Sequence, residues 1–178
     1  VAVIRQTHEH LAAQACRAIN ISLTVRNWII GYYIQEYEQN GADRAEYGEQ
    51  AIEYLGKTLQ KSLDKCYTGR YLRLCRQFYK LYPQIRKSLT SKFNIISNGK
   101  SSISELPLGS LTDAPEQTPV LTPDLLVSGE KLINNLSFTH FTELLKLDDP
   151  LKRTFYEIEC IRGNWSVREL KRQIGSLY

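Results

Sequence analysis

The sequence predicts an all-α fold, a multi-helix domain whose C-terminal segment has helix-turn-helix character. Three observations carry that reading. Apolar residues recur at spacings of three and four over most of residues 1–82 and 137–174. Stop and start signals separate these stretches: Asn40-Gly41, Pro83, Asp149-Pro150 and Gly163-Asn164. No stretch alternates convincingly with the period of a strand. Phe93-Asn94-Ile95-Ile96 is the single candidate, and it is short.

The first 40 residues read as one long helix. Leu11, Ala15, Ala18, Ser22, Val25, Ile29 and Tyr32 step by alternating four and three. A second stripe, Ile19, Leu23, Ile30, Tyr33 and Tyr37, runs beside it, so the helix is expected to bury more than one side. Gly41 fits a left-handed C-cap. A second helix, 45–63, repeats Tyr47, Ala51, Leu55, Leu59 and Leu63 every four residues. A third starts at Thr68 as N-cap, carries Leu72, Cys75, Phe78 and Tyr82 on one face, and stops near Pro83. Residues 90–128 hold Pro107, Pro115, Pro119 and Pro123 among Ser, Thr and Gly, the composition of a loop or linker. The expected organisation is therefore a helical region 1–89, a linker 90–128 and a helical region 129–178.

Beyond the linker, Ser137 caps a short helix through Leu145, and Asp149-Pro150 opens the next. That helix carries Leu151, Phe155, Ile158 and Ile161. Ser166-Val167-Arg168-Glu169 is a capping box. It opens a last helix with Val167, Leu170, Ile174 and Leu177 inward and Arg168, Lys171 and Arg172 outward. A helix, a tight Gly-Asn-Trp turn and a basic helix make a helix-turn-helix-like layout. The absence of an initiator Met, and a pattern still running at Tyr178, read as a piece of a longer protein.

At 42% hydrophobic and 24% charged, 178 residues are enough for a real core. No apolar run approaches the roughly 20 residues that cross a bilayer. Cys16, Cys66, Cys75 and Cys160 have no metal-ligand spacing, and Cys16 and Cys75 fall in apolar patterns. Buried thiols suit a reducing cytoplasm. The net charge of +4 is uneven: residues 65–104 hold nine basic residues and no acidic one, while 105–130 hold five acidic and no basic ones. A block of that length without a carboxylate sets up a local positive field.

Enzymatic motifs fail on geometry. In His8-Glu9-His10 the two rings point about 200° apart on a helix and cannot share an ion. His140 stands alone on an amphipathic helix and reads as structural. Pro123-Asp124 and Glu169-Leu170-Lys171 imitate a PD…E-x-K nuclease signature, but that chemistry needs both acids and the Lys on adjacent strands. Here the Pro-Asp lies in a loop and the Glu caps a helix. There is no Gly-rich phosphate loop. Neither a metal, nor another cofactor, nor a small-molecule substrate is expected of this chain.

The basic block is the strongest functional signal. Arg70, Arg73, Arg76, Lys80, Arg86, Lys87 and Lys92 alternate with Tyr67, Tyr71, Tyr79 and Tyr82. Arginine forks match phosphates, and tyrosines stack on bases or donate to phosphates. Two plainer readings stand beside it: a protein-contact surface, and a solvated helix face whose tyrosines belong to the core.

Several segments resemble a known family. They are Trp28-Ile29-Ile30-Gly31, Arg44-Ala45-Glu46-Tyr47-Gly48, Arg76-Gln77-Phe78-Tyr79, Leu136-Ser137-Phe138-Thr139-His140-Phe141 and Trp165-Ser166-Val167-Arg168-Glu169-Leu170-Lys171-Arg172-Gln173-Ile174. In that order they resemble the N-terminal domain of the YhcG-like family, bacterial members of the PD-(D/E)XK nuclease superfamily with no assigned role for this domain. Residues 137–174 also resemble, more weakly, the helix-turn-helix region of ParB-type proteins. The resemblance implies a nuclease-like domain outside this chain, where Mg²⁺ and the acidic residues would lie. On the residues themselves, the chain is expected to be a non-catalytic DNA-binding domain. Arg70, Arg73, Arg76, Lys80, Arg86 and Lys87 would contact phosphates, with Arg168, Lys171 and Arg172 near a groove. The rival is a protein-interaction module, including one that pairs with a second copy.

Overall fold

The computed structural model describes residues 1–40, 45–89 and 126–176, with side chains outside 36–49. Among the described residues every regular element is a helix. They are α1 (Ala2–Asn40), α2 (Ala45–Ser62), α3 (Gly69–Leu81), a short α4 (85–89), α5 (Gly129–Asn135), α6 (Phe138–Leu144), α7 (Pro150–Gly163) and α8 (Val167–Ser176). The all-α expectation holds. α4 and α5 had no counterpart in the sequence reading, because their apolar patterns are too short to show a period. Gly41, Leu177, the Phe93–Ile96 stretch and Pro123-Asp124 lie outside the described residues.

One core joins the two ends of the chain. Trp28 and Tyr32 of α1, Phe78 of α3 and Tyr82 just after it, Leu132 and Ile133 of α5, Phe141 and Leu144 of α6, Tyr156 of α7 and Leu170 of α8 are all buried in one cluster. A satellite cluster of Ile34, Ile52, Tyr67 and Leu72 seats α2. Edge-to-face rings tie the layers: Trp28 on Tyr79 with centroids 4.9 Å apart, Tyr82 on Phe141 at 4.9 Å. The indole Nε1 of Trp28 donates to the Tyr82 carbonyl at 2.9 Å, which also satisfies an orphan carbonyl at the end of α3. α1 and α3 approach so closely that a Cβ on Gly31 would lie 2.0 Å from the Cys75 carbonyl oxygen.

Local grammar sets the C-terminal helices. The Asp149 carboxylate accepts from the Leu151 N–H at 2.9 Å and caps α7. α7 ends on Asn164 in the left-handed region (φ 46°, ψ 46°). Ser166 Oγ then accepts from the Glu169 N–H at 3.2 Å and opens α8. At α6, His140 supplies what a Glu usually does: its Nδ1 accepts from the Ser137 N–H at 3.2 Å. Its Nε2 donates to the Trp165 carbonyl at 3.0 Å. A ring that accepts at Nδ1 and donates at Nε2 is neutral, and burial pushes its pKa below the usual histidine value. His140 therefore holds the turn between α7 and α8 against the start of α6, the structural role expected of it.

Four expectations need correction. α1 buries one side only, with Leu11, Ile19, Leu23 and Tyr33 exposed, and Leu55 and Leu63 of the α2 repeat are exposed as well. α7 presents Arg153, Thr154, Tyr156, Glu157 and Cys160 to the core, whereas Leu151 and Phe155 are 59% and 51% exposed. Tyr156 is the reason: it fills the core between α5 and α8 and donates to the Gln173 carbonyl at 3.2 Å, which turns the aliphatic stripe outward. Cys16 is exposed, not buried, because α1 leaves the body of the fold before it reaches that residue.

Candidate nucleic-acid interface

The basic residues of α3 are displayed by how that helix is anchored. Thr68 caps it, with Oγ1 accepting from the Tyr71 N–H at 3.2 Å. Its inner face is buried: Leu72 packs with Ile34 and Ile52, Cys75 lies against Gly31 of α1, and Phe78 packs on Phe138 and Phe141 of α6. At 100° per residue, Arg70, Arg73, Arg76 and Lys80 then fall within about 120° of one another on the opposite side. That arc lies between α2 and the end of α6. On the α2 side, Arg73 pairs with Glu53 at 2.7 Å. On the α6 side, Gln77 Nε2 donates to the Leu145 carbonyl at 3.1 Å.

The end of α6 also receives α8. Glu143 accepts from Lys146 at 2.7 Å and pairs with Lys171 of α8 at 3.3 Å. Partial burial alone would raise the Glu143 carboxyl, but hydrogen bonds from Lys146 and Lys171 hold it below the ordinary carboxylate range. Gln77 thus ties the α3 arc to the Leu145 backbone, and Glu143 holds Lys146 and Lys171 together at the same end of α6. Sequence reasoning missed Gln77, which is uncharged although it lies on the same side of α3, and Lys146, which stands outside the basic clusters of the chain.

The other expected contacts are more separate. Arg86 follows on α4, where its Nη2 donates to the Tyr79 hydroxyl at 2.7 Å, and Lys87 is exposed beside it. On α8, Arg172 pairs with Glu169 at 2.5 Å, and Arg168 is exposed. Arg70, Lys80 and Arg168 make no ion pair with a described residue. Glu169 and Lys171 engage Arg172 and Glu143 respectively, on different sides of α8, so they do not converge as an E-x-K pair would.

The tyrosines are not a stacking platform. Tyr67 and Tyr82 are buried, Tyr79 packs on Trp28 and Tyr32, and Tyr71 packs on Phe138. The Tyr71 hydroxyl donates to Asn27 Oδ1 at 2.6 Å and accepts from Arg26 at 3.2 Å. Tyr71 and Tyr79 point inward because their positions on α3 face α6 and α1, while Tyr67, just before α3, sits in the satellite cluster and Tyr82, just after it, in the main core. The plainer reading of these rings as core is the one the fold supports.

Residues 3–98 and 126–178 match the family described as the DUF1016 N-terminal domain. The chain belongs to this family. The match omits residues 99–125, within the Pro- and Ser-rich stretch. A protein of Escherichia coli (strain K12) named "Putative nuclease YhcG" is 30% identical over 172 residues, covering 93% of this chain and 41% of its own length. The YhcG-like resemblance of the sequence is thereby borne out, and the chain spans well under half of that relative. No solved structure matches this DUF1016 N-terminal domain. Among its described residues, no helix is long and apolar enough to cross a membrane.

Proposed function

We propose that this chain is a non-catalytic, cytoplasmic, DNA-binding domain of a larger nuclease-like protein. The observation that carries the reading is the α3 arc. Arg70, Arg73, Arg76 and Lys80 share one solvent-facing side of a rigidly packed helix, inside a 40-residue block with no carboxylate. Such a ridge suits phosphates spaced along a backbone and carries no sequence information by itself. The α6–α8 layout, with a three-residue turn between α7 and α8, supports a second contact. Arg168, Lys171 and Arg172 lie near the start of α8, where a helix-turn-helix would meet a groove. The ParB-type resemblance points the same way. The relative's printed name fits a nucleic-acid substrate for the whole protein.

The test is binding to labelled duplex and single-stranded DNA over a salt series. The expected result is tight duplex binding at low salt that weakens steeply. A folded Arg70→Ala/Arg73→Ala/Arg76→Ala/Lys80→Ala variant should lose about 0.9 from the log–log slope for each phosphate contact removed. An unchanged slope in that variant sinks the assignment of the ridge. One observation favours an interaction role alongside: α1 and α7 leave large apolar side chains exposed.

A further inference from the structure

α2 and α3 part along one edge to leave an open cleft of about 400 Å³, lined by Gln50, Glu53, Tyr54, Lys57 and Arg73. The first four are spaced i, i+3, i+4 and i+7, so they share one side of α2. Arg73 closes the cleft from α3, where its pair with Glu53 spans 2.7 Å. The same arginine belongs to the Arg70–Lys80 ridge, so the ridge and the cleft are continuous.

Tyr54 is placed unlike the tyrosines of the basic block. Those face inward, whereas Tyr54 is 74% exposed. Among the described residues its ring meets no other ring and its hydroxyl makes no hydrogen bond. Folding gains little from an aromatic ring left in water. The side chains of Gln50 and Lys57 also have no partner among the described residues, and exposed Lys61 continues their side toward the end of α2. A ring, an amide and a cation thus stand uncommitted around one cleft, at the rim of the proposed phosphate ridge.

We infer that the cleft takes an unpaired base of a DNA strand whose phosphates lie on the α3 ridge, with the base stacked on Tyr54. The inference rests on the DNA-binding reading above and adds to it the form of DNA preferred. Stacking suits the ring, since every base has a π-face and an exposed tyrosine accepts any of them. Gln50 both donates and accepts at a base edge, and Glu53 accepts from an exocyclic amine. Lys57 and Arg73 outweigh the one carboxylate of the lining, which Arg73 already engages, so the flanking phosphates are tolerated. The cleft is too open to enclose a free small molecule, whose sites bury roughly 70–90% of the ligand. A base carried in by phosphates already held on the ridge arrives at high effective concentration and needs no enclosure. Paired bases in a duplex stack on one another and offer no face to Tyr54. The ridge therefore serves any DNA, and the cleft favours single-stranded or frayed DNA.

The test titrates the 178-residue chain into a short fluorescent single strand and into the blunt duplex of the same sequence, each over a salt series. Tyr54→Ala should lower single-strand affinity by roughly 5- to 150-fold, the worth of one stacked base. It should leave duplex affinity and both salt slopes as they are, since no phosphate contact is lost. Tyr54→Phe keeps the ring and should bind like wild type. Tyr54 is exposed and Ala is the better helix former, so circular dichroism should show Tyr54→Ala folded. Irradiating a strand that carries iododeoxyuridine in place of thymidine should cross-link it to Tyr54, identified by peptide mass spectrometry. Full single-strand affinity in a folded Tyr54→Ala variant overturns the cleft while the ridge reading stands. So do equal losses on single strand and duplex, adducts found only elsewhere, or a wild-type chain that binds duplex alone. Wild type that binds neither DNA at low salt sinks the ridge reading itself, and the cleft with it.

Discussion

The Tyr82 hydroxyl donates to the Glu157 carboxyl across 2.7 Å, with both residues buried. The bond ties the end of α3 to the middle of α7, 75 residues on. Burial pushes the Glu157 carboxyl up to about 7, against the opposing pull of the Tyr82 hydrogen bond and of nearby Arg153. Burial also raises the Tyr82 phenol. Arg153 does not neutralise Glu157 by contact; its Nη2 donates to the Leu147 carbonyl at 2.7 Å.

Glu157 should make the fold sensitive to pH in the direction opposite to most carboxylates. The folded state holds the proton more tightly than the unfolded one. The contribution is complete below the unfolded value of 4.5 and is lost as pH rises to about 7. Glu157→Gln keeps the shape and removes the titration. Relative to wild type, this variant should therefore gain stability, on the order of 2 kcal/mol, between pH 4.5 and 8. Urea unfolding of both proteins at several pH values checks this, and parallel curves would refute it. Tyr82→Phe should destabilise by about 1–3 kcal/mol, because the carboxyl loses its buried donor.

Gly31 is a second sensitive point. Any side chain there meets the Cys75 carbonyl oxygen and the Tyr79 Cβ, at 2.0 and 2.9 Å for a Cβ in place. The first neighbour is backbone, so α1 and α3 must separate. Gly31→Ala gains helix propensity of about 1 kcal/mol and loses more than that in packing. A net destabilisation of about 1–3 kcal/mol is expected in thermal melts. A variant as stable as wild type would mean that the two helices slide apart easily.

How far the sequence carried can be judged from α3 and α7. For α3, the face with Leu72, Cys75 and Phe78 was legible because a half-buried helix separates apolar from charged residues by angle. The Arg70–Lys80 arc followed from the same wheel. For α7, the wheel misled, because both sides carry apolar residues. The aromatic payload of Tyr156 and the hydrogen-bonded Glu157 won the core over Leu151 and Phe155. The joining of residues 1–89 to 129–176 through Trp28, Phe78, Leu132 and Leu170 left no local trace, since such contacts have no period. The Lys171–Glu143 pair between α8 and α6 is brought together by the same long-range packing.

His140 gives a prediction with the reverse sign. Burial holds its pKa below the ordinary value of 6.5, and the Trp165 carbonyl bond only partly offsets this. Its contribution is present above pH 6.5 and is lost as pH falls through the lower folded value. Protonation would set an N–H at Nδ1 against the Ser137 N–H, which now donates to it. The His140 ring should titrate below the usual histidine range by NMR, and Ser137 and Trp165 amide signals should shift with it. A His140 that titrates at the ordinary value, or without those neighbours, contradicts the neutral-ring assignment.

The ion pairs already present rank the proposed DNA contacts. Arg73 is held by Glu53, Lys171 by Glu143 and Arg172 by Glu169, so phosphate must compete for each. Arg70, Lys80 and Arg168 meet no such competition from a described residue. Single Arg70→Ala and Lys80→Ala changes should each lower the salt slope by about 0.9, and Arg73→Ala by less. Glu53→Gln tests the ranking from the other side. It removes a carboxylate 2.7 Å from Arg73 at the rim of the ridge, while keeping a side chain of the same size over Gly69. Under the DNA-binding proposal this variant should bind duplex more tightly at moderate salt, with a steeper slope. The pair is half exposed and contributes at most about 1 kcal/mol to folding, so the variant should stay folded. Tighter binding would place phosphate against Arg73. Unchanged binding in a folded Glu53→Gln variant would remove Arg73 from the interface and shift it toward Arg70 and the end of α6.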